Sequence, residues 1–310
     1  MRAASGPKAS FPKATPLPRT DLVTLTLGRQ SLQVLVDCGA IARWQWEGAD
    51  ILRPASLGAI TTGEPLDLAC FVMAPWVNRI AHGRFRAGGQ DYSLSRDAAC
   101  FAGPHALHGL AWRGTWEAVE PPIPIPEPCS LLHLRHRGGE PWPWAYSVAL
   151  SFGLIDTGLR IVLTLTHEGW PETPMPASLG LHPFFPRRRG VLLQAPSAAV
   201  MLTEDDLPRS AIPIPEPWDF TTLRAVPLGG IDHCFTGWDG NAEIVWPHDG
   251  VALRLTVGPA PFYQLYAPDT DYFCFEPQTA APNAVNGSEP VMLRPLRSLS
   301  IEVTLEPMLF

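Results

Sequence analysis

Short stretches of alternating apolar and polar residues, each closed by a turn signal, recur along the chain. They cover Leu22–Leu27, Leu32–Val36, Leu131–His136, Ser147–Leu154, Leu159–Thr166, Val251–Val257 and Leu299–Leu305. In Leu159–Thr166, the residues Leu159, Ile161, Leu163 and Leu165 fall on one side, and Arg160, Val162, Thr164 and Thr166 on the other. That period of two is the signature of a strand. Asp156-Thr157-Gly158 just before it predicts a hairpin with Ser147–Leu154. Pro247-His248-Asp249-Gly250 predicts a second hairpin, joining Ile244–Trp246 to Val251–Val257. No stretch keeps an i, i+3, i+4, i+7 pattern for three turns, and strand follows strand without an intervening helix. Parallel βαβ folds are thereby excluded. The pattern predicts an all-β chain, a large antiparallel β-sandwich.

Proline sharpens this picture. The chain holds 35 in 310 residues, about twice the usual ~5% share, and proline belongs in loops and on strand edges. The Pro-rich spacers Pro121–Pro128 and Pro213–Pro217 read as long loops, because strands of similar character flank each. The expectation is one domain over residues 19–310, preceded by a disordered Pro/Ala/Lys tail over residues 1–18.

Composition narrows the function classes. With 46% hydrophobic residues the chain can bury a large core. A net charge of −7 supplies no basic stripe for nucleic acid. No run nears the ~18 apolar residues of a membrane span. The basic N-terminus lacks the apolar segment of a secretory signal. Six scattered cysteines (Cys38, Cys70, Cys100, Cys129, Cys234, Cys274) form no C-x-x-C and suit reduced thiols, hence a cytoplasmic protein.

Polar residues set in aromatic, turn-rich text carry the candidate chemistry. Five stretches stand out: Trp76-Val77-Asn78-Arg79 through His82; His105 to His108-Gly109, with Trp112 and Trp116 following; Gly180-Leu181-His182-Pro183-Phe184-Phe185; Asp232-His233; and Phe275-Glu276-Pro277-Gln278. Each has a plain alternative. Asn78-Arg79 suits a surface turn, His108 a loop, His182 a satisfied core histidine, and Asp232 a turn. Glu276, placed at the end of the aromatic strand Tyr272–Phe275, is the hardest to dismiss, since a carboxylate in apolar surroundings needs a partner or a task.

Taken together and in this order, from about residue 21 onward, these motifs resemble those of the galactose mutarotase (aldose 1-epimerase) family. The resemblance implies that His182 is the catalytic acid and Glu276 the catalytic base. It also implies that Asn78, Arg79, His108 and Asp232 bind an aldose, with no cofactor. His182 and Glu276 would then converge on one open cleft and act from opposite sides of a pyranose ring, with His182 protonated at rest. Trp76, Trp112 and Phe184 are candidates for the apolar platform under the sugar. The Gly-Leu-His-Pro-Phe-Phe context of His182 departs from the galactose-specific pattern and is closer to the family's poorly characterised bacterial-type branch.

Three alternatives stay open. A non-catalytic carbohydrate-binding protein could share the fold. Arg187-Arg188-Arg189 is either a solvated turn or a phosphate fork, and the latter would make the substrate a hexose 6-phosphate. For metals, His133 and His136 lie three apart on a strand and face opposite ways. His105 and His108 could share an ion, but no familiar ligand spacing completes a set, and no metal is expected. The expected assembly is a monomer or homodimer.

Overall fold

The computed structural model describes residues 21–121, 123 and 125–310; the N-terminal tail predicted over residues 1–18 lies outside them. The alternation in Leu159–Thr166 becomes the strand Gly158–His167, with Leu159, Ile161, Leu163 and Leu165 buried. It pairs with Ala145–Ile155 in the predicted hairpin, where Ile155 faces Gly158. The second predicted hairpin is also present, Asn241–Trp246 with Val251–Gly258, and Trp246 faces Val251. These strands lie in a nine-stranded sheet whose centre runs Cys129–Arg137, Ala145–Ile155, Gly158–His167, Ser298–Leu309, Val251–Gly258 and Asn241–Trp246. Its neighbours are antiparallel throughout that centre.

The other large sheet has eleven strands. Its middle runs Ala40–Trp46, Cys70–Met73, Gly180–Pro186, Tyr272–Gln278, Phe262–Ala267, Ile231–Thr236 and Ala199–Glu204, again antiparallel. The two sheets face one another across a common core, to which Leu150, Leu163, Leu255 and Ile301 come from one and Leu181, Phe185, Leu265 and Phe275 from the other. This is the predicted all-β antiparallel sandwich. Among the described residues one short α-helix, Leu57–Thr62, and several single 3₁₀ turns break the pattern of strands. The Ser56 hydroxyl caps the helix by accepting from the Ala59 amide at 3.1 Å, and it stops at Gly63, whose φ of 64° suits glycine. At six residues it is too short for a helical period to show in the sequence. No helix among the described residues is long and apolar enough to cross a membrane.

Candidate active site

Strand alternation gives the eleven-stranded sheet two unlike faces. In Gly180–Pro186, Leu181 and Phe185 enter the inter-sheet core, while His182 and Phe184 point the other way. In Tyr272–Gln278, Phe273 and Phe275 join the core, and Cys274 lies on the opposite face; Glu276 and Gln278 share its parity. Register then assembles the residues. Gly180 faces Gln278 and Phe184 faces Cys274, which sets His182 beside Glu276. Glu276 in turn faces Gln264, Gln264 faces Cys234, and Asp232 lies two residues from Cys234 on the same face.

His182 Nε2 stands 3.3 Å from Glu276 Oε1, and their side chains are only 8% and 3% exposed. The imidazole stacks on Phe71 and Phe184, with centroids 4.4 and 4.8 Å away. Gln278 donates to the second carboxyl oxygen of Glu276 at 3.3 Å. Two expectations need correcting here. Glu276 lies inside its strand rather than at its end. The pair is also buried and in mutual contact, rather than spread across an open cleft on opposite sides of a ring.

The remaining predicted residues gather around this pair. The His108 ring meets His182 edge-on at 5.2 Å and 90°, backed by Trp112 at 5.2 Å. The His108 amide donates to the Asn78 carbonyl at 2.8 Å, and both residues hold positive φ, 58° and 48°. This tight crossing needs Gly109, because a Cβ there would lie 2.1 Å from the Ala74 carbonyl oxygen. Arg79, in the bridge Leu107–Arg79, pairs loosely with Asp206 at 3.6 Å. Its charge is felt by His108, Asp232 and Glu276. Asp232 belongs to the strand Ile231–Thr236, not to a turn, and accepts from Gln264 Nε2 at 2.6 Å.

Gln264 is a site residue that motif reading missed; its signal is a lone amide in an otherwise apolar strand, and register shows that it serves Asp232. Gln278 lies in the stretch already singled out around Glu276, two residues away on the same face of one strand, but was given no role. Of the three candidate aromatics, Trp112 and Phe184 border the histidines, while Trp76 packs on Trp142 in the main core.

Burial governs the electrostatics. Glu276 is pushed well above the usual carboxylate range, first by burial and then by the negative charge of Asp232; Gln278 and Arg79 oppose the rise. Burial pulls His182 down to about 3, with the Arg53 guanidinium adding to the effect. His108 is also lowered well below normal, by burial and then by His182, Arg79 and Arg113. Burial therefore disfavours the charged form of both groups, against the expectation of a His182 protonated at rest. Several polar atoms are buried without a hydrogen-bond partner among the described residues: His182 Nδ1, His108 Nδ1, Arg79 Nε, Gln264 Oε1 and Gln278 Oε1. Buried polar atoms seldom stay unpaired, and these five belong to the residues gathered around the pair.

The arginine triplet is used elsewhere. Arg187 donates to the carbonyls of Val226, Pro227 and Pro268. Arg188 pairs with Asp249 at 3.0 Å and donates to the Asp50 carbonyl, and Arg189 is exposed. His105 is not aimed at an ion shared with His108. Its Nδ1 accepts from the His82 amide at 3.0 Å, and Nε2 lies 3.2 Å from the Asp205 carbonyl. His182, Cys274 and Glu276 do bring three potential ligand atoms within 4.8 Å of one another. Burial, with Glu276 beside it, drives the Cys274 thiol well above its usual range.

Comparison with known proteins agrees with this architecture. The model of the family described as aldose 1-epimerase matches residues 21–306. The uncharacterised protein YphB of Escherichia coli (strain K12) is 29% identical over 298 residues, covering 92% of this chain and 98% of its own. A solved structure from the same organism, provisionally named an aldose 1-epimerase, superposes with a TM-score of 0.84 at 27% identity, over 94% of this chain and all of that one. The galactose 1-epimerase of Lactobacillus acidophilus NCFM shares the fold, with a TM-score of 0.77 at 17% identity over 97% of this chain and 99% of its own.

Proposed function

The chain belongs to the aldose 1-epimerase family, and from that premise we propose that it interconverts the α and β anomers of an aldopyranose. The observation that carries this reading is the buried contact of 3.3 Å between His182 and Glu276, a donor and an acceptor that share one proton. Mutarotation needs that pairing and nothing else. One group takes the proton from the anomeric hydroxyl while the other gives a proton to the ring oxygen. The C–O ring bond breaks, a carbonyl forms, the adjacent C–C bond rotates, and the reverse transfers close the ring on the other face. Both reacting oxygens are bonded to the same carbon, so neighbouring catalytic groups suit them.

Glu276 acts as base and His182 as acid in ring opening. Burial favours the neutral form of both groups, which is the pair as it stands once the ring has opened. Transfer across the short contact restores the starting form, and sugar hydroxyls together with Arg79 favour the ionised carboxylate. Arg79 and His108 hold oxygens near the reacting carbon, while Asp232 and Gln264 accept from hydroxyls further round the ring. Proton transfer is the whole of the chemistry, so the proposal calls for no cofactor.

A carbohydrate-binding protein would need Arg79 and Asp232 but would gain nothing from a buried proton-sharing pair. The sugar-phosphate reading loses its support, since Arg187 and Arg188 are committed to carbonyls and to Asp249. The test is anomer exchange by NMR across a panel of aldoses, followed over pH. At least one aldose should equilibrate far faster than in buffer. Activity needs one proton on the pair, so the rate should show no limb near the ordinary histidine value of 6.5. It should fall only as His182 takes a second proton, towards its value of about 3, or as Glu276, held up by burial, gives up the last proton at higher pH. Exchange no faster than buffer for every aldose tried would leave a binding protein.

A further inference from the structure

Two neighbouring strands bring three side chains of ligand chemistry to one point. Cys274 and Glu276 stand two residues apart on Tyr272–Gln278, so both leave the sheet on the same side. Phe184 faces Cys274 across the strand pair, and His182 lies two residues before Phe184 on that face. A ring nitrogen of His182, the Cys274 sulfur and a carboxyl oxygen of Glu276 come within 4.8 Å of one another. The cysteine is the member that the proton chemistry does not use. Of the four buried thiols, those of Cys38, Cys70 and Cys234 each donate to a backbone carbonyl at 3.8 Å. The Cys274 thiol is wholly buried and has no such partner among the described residues.

We infer that His182, Cys274 and Glu276 form a binding site for a thiophilic divalent cation of the zinc type, and that the bound cation switches the acid–base pair off. Zinc takes nitrogen at ~2.0–2.1 Å, sulfur at ~2.3 Å and carboxylate oxygen at ~2.0–2.2 Å, so tetrahedral ligand atoms stand ~3.3–3.8 Å apart. The His182–Glu276 contact of 3.3 Å already has that span. A movement of ~1 Å at the Cys274 sulfur completes the set. Charge favours the ion as well. A thiolate, a carboxylate and a neutral imidazole together cancel two positive charges, so the loaded site is neutral, as its place beside Phe71 and Phe184 requires. The thiol binds as thiolate, and its proton passes to solvent.

Inhibition follows from the lone pairs. The nitrogen and oxygen that would exchange protons with a sugar are the atoms the cation takes, so a loaded chain has neither acid nor base. That consequence rests on the anomer-exchange reading; the site itself does not. The ligand set also fixes the class of cation. Sulfur and imidazole suit zinc or cobalt, whereas magnesium and calcium require shells of oxygen. No motif spacing announces the set, because His182 comes from a strand far removed in sequence from that of Cys274 and Glu276.

Cobalt reads the site on the full chain without turnover. Co²⁺ should give a thiolate-to-cobalt charge-transfer band in the near ultraviolet, and zinc should abolish it by displacement. Cys274→Ala and the closer match in size Cys274→Ser should both lose the band. In wild-type anomer exchange, zinc in slight excess should cut the rate by ~100-fold or more, the order that acid–base catalysis contributes, and EDTA should restore it. Magnesium should change nothing. Without metal, either Cys274 variant should exchange anomers within about threefold of wild type, and it should need at least ~10-fold more zinc for half-inhibition. Absence of cobalt binding, a band that survives in both Cys274 variants, or equal zinc sensitivity in wild type and variants overturns the site. Cobalt bound through Cys274 while zinc leaves exchange untouched overturns the switch. A Cys274-dependent band in a chain that exchanges no aldose's anomers would leave the metal site standing and remove the epimerase reading instead.

Discussion

The two faces of the strands Gly180–Pro186, Tyr272–Gln278 and Phe262–Ala267 are equally buried and chemically opposed. One presents Leu181, Phe185, Phe273, Phe275 and Leu265 to the inter-sheet core. Even its phenol is satisfied, with the Tyr263 hydroxyl donating to the Ala195 carbonyl at 3.2 Å. The other face, one residue out of phase, presents His182, Glu276, Gln264 and Gln278, all at most 6% exposed, with nitrogen and oxygen atoms that have no partner among the described residues. Burial on the first face stabilises the fold. On the second face the same burial carries a cost for each polar atom that has no partner among the described residues. The contrast separates residues that build the sheet from residues for which the sheet is built.

Breaking the first face should cost the most stability. Phe275→Ala removes a wholly buried ring and should destabilise the protein by about 3–5 kcal/mol; urea unfolding measures it, and a loss under ~1 kcal/mol would mean that the two faces are not so distinct. Asp232→Asn, on the other face, should leave stability nearly unchanged. It should raise KM about 10–100-fold with a smaller effect on kcat, because that carboxylate holds hydroxyls in ground and transition states alike.

The smallest effect has an unusual sign. Glu276 has a folded pKa raised above its unfolded value, so above the ordinary carboxylate range the unfolded chain releases a proton that the native state retains. Stability is therefore lost as pH rises through that window. His182 works from the other side, since its lowered value of about 3 against 6.5 means that stability is lost as pH falls from 6.5 towards 3. Glu276→Gln removes the first loss. Its melting temperature should exceed that of wild type by roughly 2–4 °C at pH 8, with the gain shrinking towards pH 5. A variant less stable than wild type at pH 8 would show that the carboxyl group belongs to the structural side of the comparison.

Much of the first face was legible in sequence. The alternation of Leu159–Thr166 and the turn signals at Asp156-Thr157-Gly158 and Pro247–Gly250 depend on local spacing, and the strands and hairpins follow from them. The candidate site residues were legible as motifs, yet their arrangement was not. That His182 lies beside Glu276, and Glu276 opposite Gln264, is set by pairing between strands some 90 and 12 residues apart along the chain, which no local pattern encodes. The direction of the pKa shifts was hidden for the same reason. Histidine and glutamate have ordinary pKa values in a string of letters, and only the packing of Phe71, Phe184 and the sheet around them lowers the one and raises the other. The hairpin tip Asp205-Asp206 also reads as a polar turn until His105 and Arg79 are seen beneath it.

The most direct test is one comparison under identical conditions, wild type against Glu276→Gln, reading aldose anomer exchange by NMR and sugar affinity by calorimetry. General acid–base catalysis typically contributes ~10²–10⁴-fold. Exchange should fall by that order in Glu276→Gln while affinity stays within about threefold. A variant that binds the sugar and exchanges its anomers as fast as wild type would contradict the assignment of Glu276 and His182 as the proton-sharing pair.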